Sequence, residues 1–201
     1  MDLIGIKQPP VFAGWGSMKI KSIKQLNVLI VEDDRHMRML IRDILSALGV
    51  KDIATASDGK SAVEKMQDFR SDLMLVDLKM EPIGGLEFVR RLRADTKNPY
   101  RFVPVIMITA YADLDTVAMA RDVGITEFMA KPISATILQQ RIERVLKDSR
   151  RFVEAPEFTG PDRRRSKKTA LKGKERRETP PKFVDPPEDL PAAPKSPETK
   201  L

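Results

Sequence analysis

The chain has 201 residues with no cysteine, and 36 Lys+Arg stand against 29 Asp+Glu for a formal net charge of +7. The lack of cysteine rules out disulfides, thiol nucleophiles and thiolate metal sites, which suits a cytoplasmic setting. No run approaches the roughly 20 apolar residues of a membrane-spanning helix, and the start of the chain lacks the apolar stretch of a signal peptide, so no membrane insertion is expected.

The charge excess belongs to the ends. Residues 1–25 hold 4 basic and 1 acidic residue, residues 26–148 hold 18 and 19, and residues 149–201 hold 14 and 9. Residues 1–25, with Pro9-Pro10, Gly14-Trp15-Gly16 and scattered lysines, read as a flexible N-terminal extension. Residues 26–148 are long enough for one well-buried core.

Within that central stretch the elements alternate. Val28 to Val31 is a continuous apolar run, the pattern of a strand buried on both faces, and it ends at Glu32-Asp33-Asp34. Met37, Leu40, Ile41, Ile44, Leu45 and Leu48 then recur at three- and four-residue intervals, predicting a helix that stops at Gly49. Ile53 to Ala56 supplies a short strand, and an amphipathic helix follows from about Lys60 to Phe69. Leu73 to Val76 runs into Asp77, with a helix from Leu86 to Leu92. Val105 to Ile108 runs into Thr109, with a helix from Leu114 to Val123. Phe128 to Ala130 runs into Lys131-Pro132, and Ile137 to Leu146 is the last helix. Five strands alternating with five helices predict right-handed crossovers and a three-layer α/β sandwich. Parallel strands end on one edge, so three acids, a hydroxyl and an amine would gather where open α/β sheets bind ligands.

Residues 149–201 differ in kind. They carry 9 of the 15 prolines, and residues 163–177 hold nine basic residues against the single acid Glu175. Such a composition buries too little apolar surface to offset chain entropy, so this segment is expected to be a basic, Pro-rich disordered tail.

VLIVEDD (28–34), LMLVDLKM (73–80) with Gly85, PVIMITA (104–110) and EFMAKP (127–132) stand in the order and spacing of a known family. The chain resembles the CheY-like receiver domain of two-component response regulators over about residues 26–148. The resemblance implies a flavodoxin-like (βα)5 doubly wound parallel sheet, flanked here by disordered extensions. It also implies a single-domain response regulator that accepts a phosphoryl group on Asp77 from a histidine kinase or histidine phosphotransfer protein and signals by binding an unidentified downstream protein. Carried over residue by residue, Mg²⁺ would be held by Asp33 and Asp77, by Glu32 mainly through a water, and by the main-chain carbonyl of Lys79. Lys131 would pair with a phosphoryl oxygen, and Thr109 would donate its hydroxyl to another. Thr109 and Phe128 would form the switch, while Lys79 and Tyr111 would tune the lifetime of the acyl phosphate. Catalysis would be limited to transfer to, and hydrolysis from, the chain's own aspartate.

The physical logic stands beside the resemblance. A carboxylate can accept a phosphoryl group when a divalent cation and a lysine relieve the repulsion with the incoming phosphate. Mg²⁺ prefers oxygen ligands, one or two of them carboxylates. Each residue also has a plainer reading. Acids after a strand commonly cap the next helix, and Asp34, outside the matched pair, reads as such a cap. His36 falls at the start of the first helix and reads as a surface residue. The loop LKMEPIGG (78–85) departs from the family by placing Glu81 where a proline usually stands and Pro82 one place later, which leaves its path open.

Two alternatives belong to other classes. A phosphohydrolase of the haloacid dehalogenase type would carry a second aspartate two residues after the nucleophile, where this chain has Lys79. A nucleic-acid-binding role could rest on the basic tail, although residues 163–177 contain no aromatic residue to stack on a base.

Overall fold

The four apolar runs and the short segment from Ile53 to Ala56 become five parallel strands, β1 (Asn27–Val31), β2 (Asp52–Ala56), β3 (Leu73–Asp77), β4 (Val105–Thr109) and β5 (Glu127–Ala130), in the order β2-β1-β3-β4-β5. These come from a computed structural model that describes residues 22–110, 113–148, 150–155, 158–162 and 182–184. Helices α1 (Arg35–Ala47), α2 (Gly59–Asp68), α3 (Gly85–Ala94), α4 (Leu114–Asp122) and α5 (Ala135–Leu146) alternate with the strands. The expected flavodoxin-like doubly wound sheet is therefore the architecture observed.

The continuous apolar character of β3 and β4 follows from their position: every residue of both is buried. On one face of the sheet, Leu29, Val31, Met74, Val76, Val105 and Met107 pack with Ala62 and Met66 of α2 and Phe88, Val89 and Leu92 of α3. On the other, Val28, Ile30, Leu75, Ile106 and Ile108 meet Ile41 and Leu45 of α1 and Leu138 and Ile142 of α5. Full burial of each such side chain contributes about 1.5–3 kcal/mol.

Four of the five helices begin at side-chain caps, α3 starting at Gly84 without one. Asp34 accepts hydrogen bonds from the N–H groups of His36 and Met37, at 2.7 and 2.9 Å, and so begins α1. Those bonds, Met37 first, hold its carboxyl below the usual range. Asp58 and Ser61 form a capping box on α2, Asp113 caps α4, and Ser134 caps α5. His36 is exposed, as expected. The chain leaves β1 toward β2 on one side and returns to β3 on the other, so the strand order switches direction between β1 and β3. That switch opens a crevice at the carboxyl ends of these two strands.

One expectation needs correction. Beyond residue 149, expected to be a disordered tail, β6 (Phe152–Ala155), β7 (Phe158–Pro161) and β8 (Lys182–Val184) form an antiparallel sheet in the order β7-β6-β8. Averaging over a charged, proline-rich segment hid Phe152 and Val153, which are 5% and 8% exposed. The N-terminal boundary also moves slightly: Ile23–Gln25 is a 3-10 turn started by Ser22, and Leu26 is buried. Residues 1–21 and most of the segment from 163 onward, including the basic run, lie outside the described residues.

Candidate functional site

Glu32 and Asp33 follow the last residue of β1, and Asp77 is the last residue of β3. Val31 pairs in register with Val76, so the two strand ends are level and the carboxylates meet at the crevice. One carboxylate oxygen from each of Glu32, Asp33 and Asp77 lies within 4.8 Å of the other two. Glu32 and Asp77 are 1% and 4% exposed, whereas Asp33 faces solvent.

Lys131 arrives from the end of β5. Its backbone N–H donates to the carbonyl of Thr109 at 2.7 Å, continuing the β4–β5 ladder past the last strand residue. The ammonium sits 2.7 Å from Asp77 Oδ1 and 3.1 Å from Glu32 Oε2. Burial pulls the Lys131 pKa down, but the bonds from Asp77 and Glu32 outweigh it, and the net displacement is upward. Glu32 is raised, first by burial and then by the charge of Asp77, with Lys131 opposing both. Three carboxylates against one lysine leave an excess of negative charge that suits a divalent cation with oxygen ligands.

Of the other expected residues, Thr109 and Phe128 lie on β4 and β5, and Lys79 lies in the loop after β3. Thr109 ends β4, is 1% exposed, and pairs in register with Ala130. Phe128 is half-buried in β5 and packs against the core face shared with α2 and α3. Lys79 is exposed, and its backbone N–H donates to Asp77 Oδ2 at 2.8 Å, fixing the carboxylate's orientation. Tyr111 lies outside the described residues.

The path of the 78–85 loop is now defined. Glu81 and Pro82 are exposed, the Glu81–Pro82 peptide is cis, and the Gly85 N–H donates to the carbonyl of Leu78 at 3.0 Å. Gly85 lies so close to Asp77 that a Cβ there would collide with the Asp77 carbonyl oxygen. The loop thus closes against the strand end it leaves, and only glycine permits the approach.

Arg38 is a participant that periodicity did not single out. Its guanidinium donates to the carbonyl oxygens of Glu32 and Asp33, tying the acidic loop to the first turn of α1. Its only trace in the sequence is a cation six residues after Glu32 on the following helix.

Comparison with known proteins agrees with this geometry. Residues 28–143 match the response regulator receiver domain family. The chain is 32% identical over 120 residues to the chemotaxis protein CheY of Pseudomonas aeruginosa, covering 60% of this chain and 95% of that protein. Among solved structures it is similar to the chemotaxis response regulator CheY4 of Vibrio cholerae, at 30% identity and a TM-score of 0.54, covering 59% of this chain and 96% of that one. It is also similar to the receiver domain of a Pseudomonas aeruginosa sensor histidine kinase with a magnesium ion in its active-site cleft. That match has 28% identity and a TM-score of 0.54, and covers 61% of this chain and 98% of the other. With the family match spanning more than half its length and the strand-end carboxylates in place, the chain belongs to the response regulator receiver domain family.

Proposed function

We propose that the chain is a phosphorylation-controlled signalling protein in which Asp77 accepts a phosphoryl group from the phosphohistidine of a histidine kinase or histidine phosphotransfer protein. The observation that carries this reading is the Lys131 ammonium held between Asp77 and Glu32, at 2.7 and 3.1 Å, beside a three-carboxylate cluster. An Asp77 carboxylate oxygen attacks phosphorus, the nitrogen–phosphorus bond breaks, and the imidazole leaves with the electron pair. Hydrolysis by water later returns inorganic phosphate and the free carboxylate. No turnover of an external substrate is expected.

Mg²⁺ would be held by Glu32, Asp33, Asp77 and the main-chain carbonyl of Lys79. When bound, it supplies positive charge that offsets the repulsion between carboxylate and phosphate. Lys131 exchanges its contact with Glu32 for one with a phosphoryl oxygen, and the Thr109 hydroxyl donates to another. Movement of Thr109 makes room for Phe128, which is half-buried in β5. Phosphorylation then biases a pre-existing equilibrium and changes affinity for a downstream protein. A cytoplasmic setting fits, and among the described residues no helix is long and apolar enough to cross a membrane.

The test is incubation with acetyl phosphate and Mg²⁺, followed by intact-protein mass spectrometry of the wild type and of Asp77→Asn. One acid-labile phosphoryl group is expected on the wild type and none on the variant. Equal labelling of both would refute the assignment.

A further inference from the structure

After α5 the chain turns back under the sheet, at the edge opposite the carboxylate cluster. The Arg150 guanidinium donates to the carbonyl of Thr126, the residue just before β5, at 2.9 Å. The same guanidinium pairs with Asp148 and reaches the carbonyl of Asp162, so the two ends of the β6–β7 hairpin are gathered beside the start of β5. Asp162 closes the base with an N–H bond to the carbonyl of Arg151 at 2.8 Å.

The hairpin covers a buried cation. Arg93, in the last turn of α3, is 2% exposed and donates to the carbonyls of Gly124, Val103 and Arg101, at 3.1 and 2.8 Å for the first two. A guanidinium removed from water needs several acceptors, and those available here are main-chain carbonyls rather than a carboxylate. Phe152 of β6 closes the remaining side, its ring centroid 5.4 Å from Arg93 Cζ and edge-on to Phe102 at 5.4 Å. Next to it, Arg101 is 6% exposed, and its Nη2 lies 2.9 Å from Glu154 Oε1 of β6 and 3.1 Å from Thr159 Oγ1 of β7.

The backbones themselves touch at a pair of glycines. Gly124, between α4 and β5, has φ +90°, and a Cβ there would strike the Thr159 carbonyl. A Cβ on Gly160 would come 2.6 Å from the Gly124 Cα. Both contacts place β7 directly on the α4–β5 turn.

We propose that β6 and β7 are a strap built into this receiver, which locks the α4–β5 turn onto the end of α3 through Arg93, Arg101 and the Gly124–Gly160 contact. The strap thereby fixes the base of β5, a four-residue strand whose other end delivers Lys131 to the carboxylates. When the chain stops at 148, the buried Arg93 loses the cover of Phe152 and Arg101 loses its carboxylate partner Glu154. Release of the strap would loosen the β5 base before any other strand.

Hydrogen exchange of the full chain, followed by mass spectrometry, tests this without any phosphoryl donor, so its outcome is independent of the role of Asp77. In the wild type, amides of β6, β7 and β5 are expected to be protected. Gly160→Val, which forces the strap off Gly124, should raise exchange tenfold or more in β6, β7 and residues 124–128, and leave β1 and β3 unchanged. Glu154→Gln, which removes the ion pairs with Arg101 and Lys182 and leaves the packing intact, should give a smaller rise in the same segments. It serves as the readout if Gly160→Val loses the whole fold. Unprotected β6 and β7 amides in the wild type would overturn the proposal, as would strap exchange that rises in Glu154→Gln with residues 124–128 unaffected.

Discussion

Replacing Lys131 with methionine removes the ammonium while keeping a chain of similar length, and it isolates the electrostatics of the site. In the wild type that ammonium lies 2.7 Å from Asp77 and 3.1 Å from Glu32, both nearly inaccessible to water. At an effective dielectric constant of about 20 the two attractions amount to roughly 6 and 5 kcal/mol before desolvation. Most of that is offset by taking three charges out of water, but breaking the arrangement from one side leaves two buried carboxylates facing each other. Such one-sided losses cost about 3–5 kcal/mol when fully buried. The Lys131 side chain retains 21% exposure, so the cost here should be about 2–3 kcal/mol. That corresponds to a fall of roughly 5–10 °C in Tm.

The pH dependence carries a definite sign. Glu32 is raised above its ordinary value by burial and by Asp77, with Lys131 holding it down. A carboxyl raised in the folded state binds protons there that the unfolded chain releases. Its contribution therefore favours folding at low pH and is lost as pH rises from the unfolded value, about 4.3, through the folded one. Without Lys131 the folded value climbs further, and the loss extends to higher pH. Urea unfolding from pH 4.5 to 8, with and without Mg²⁺, reads both effects. Lys131→Met should match the wild type most closely at the acid end and fall furthest behind at pH 8 without metal. Mg²⁺ should then narrow the gap by about 1 kcal/mol or more, since the ion no longer competes with an ammonium. Equal midpoints at pH 8 without Mg²⁺ would refute the reasoning.

Three further outcomes are expected. Gly85→Ala should destabilise the protein by about 2 kcal/mol or more, because the new methyl meets the Asp77 carbonyl and the loop must move; an unchanged urea midpoint would show that the loop yields freely. Asp58→Ala should cost about 1 kcal/mol at neutral pH by removing the α2 capping box. Hydrogen bonding, led by the N–H of Ser61, lowers the Asp58 pKa, so the wild-type advantage is present above about pH 4 and should disappear as pH falls through the folded value. Lys79→Ala combined with Tyr111→Ala should speed decay of the acyl phosphate by severalfold, about 1 kcal/mol in the barrier, by opening the approach of water. Decay is followed after donor removal at constant Mg²⁺, and an unchanged rate would exclude an occluding role for both side chains.

The five strands and five helices were legible in the chain because each depends on local pattern. β3 and β4 are buried on both faces, and their apolar runs are uninterrupted from Leu73 to Val76 and from Val105 to Ile108 until the terminal Asp77 and Thr109. The helices show their three- and four-residue repeat because each lays one side on the sheet. The strand-end positions of Glu32, Asp77, Thr109 and Lys131 followed from the same runs, since parallel strands of one sheet share a carboxyl edge. Contacts between segments distant in sequence were not legible in this way. That Lys131 spans two carboxylates, that Arg38 ties down the acidic loop, and that Gly85 approaches the Asp77 carbonyl all depend on how the elements dock. The hairpin after α5 depends on docking most of all. Phe152, Glu154 and Gly160 stand in a charged, proline-containing segment with no periodicity to mark them. They become ordered because Arg93, Arg101, Phe102 and Gly124, which lie 28 to 67 residues earlier, offer them a buried cation, a charge partner, an aromatic edge and a gap for backbone. Composition averages a segment over itself, whereas burial is decided by the surface it meets.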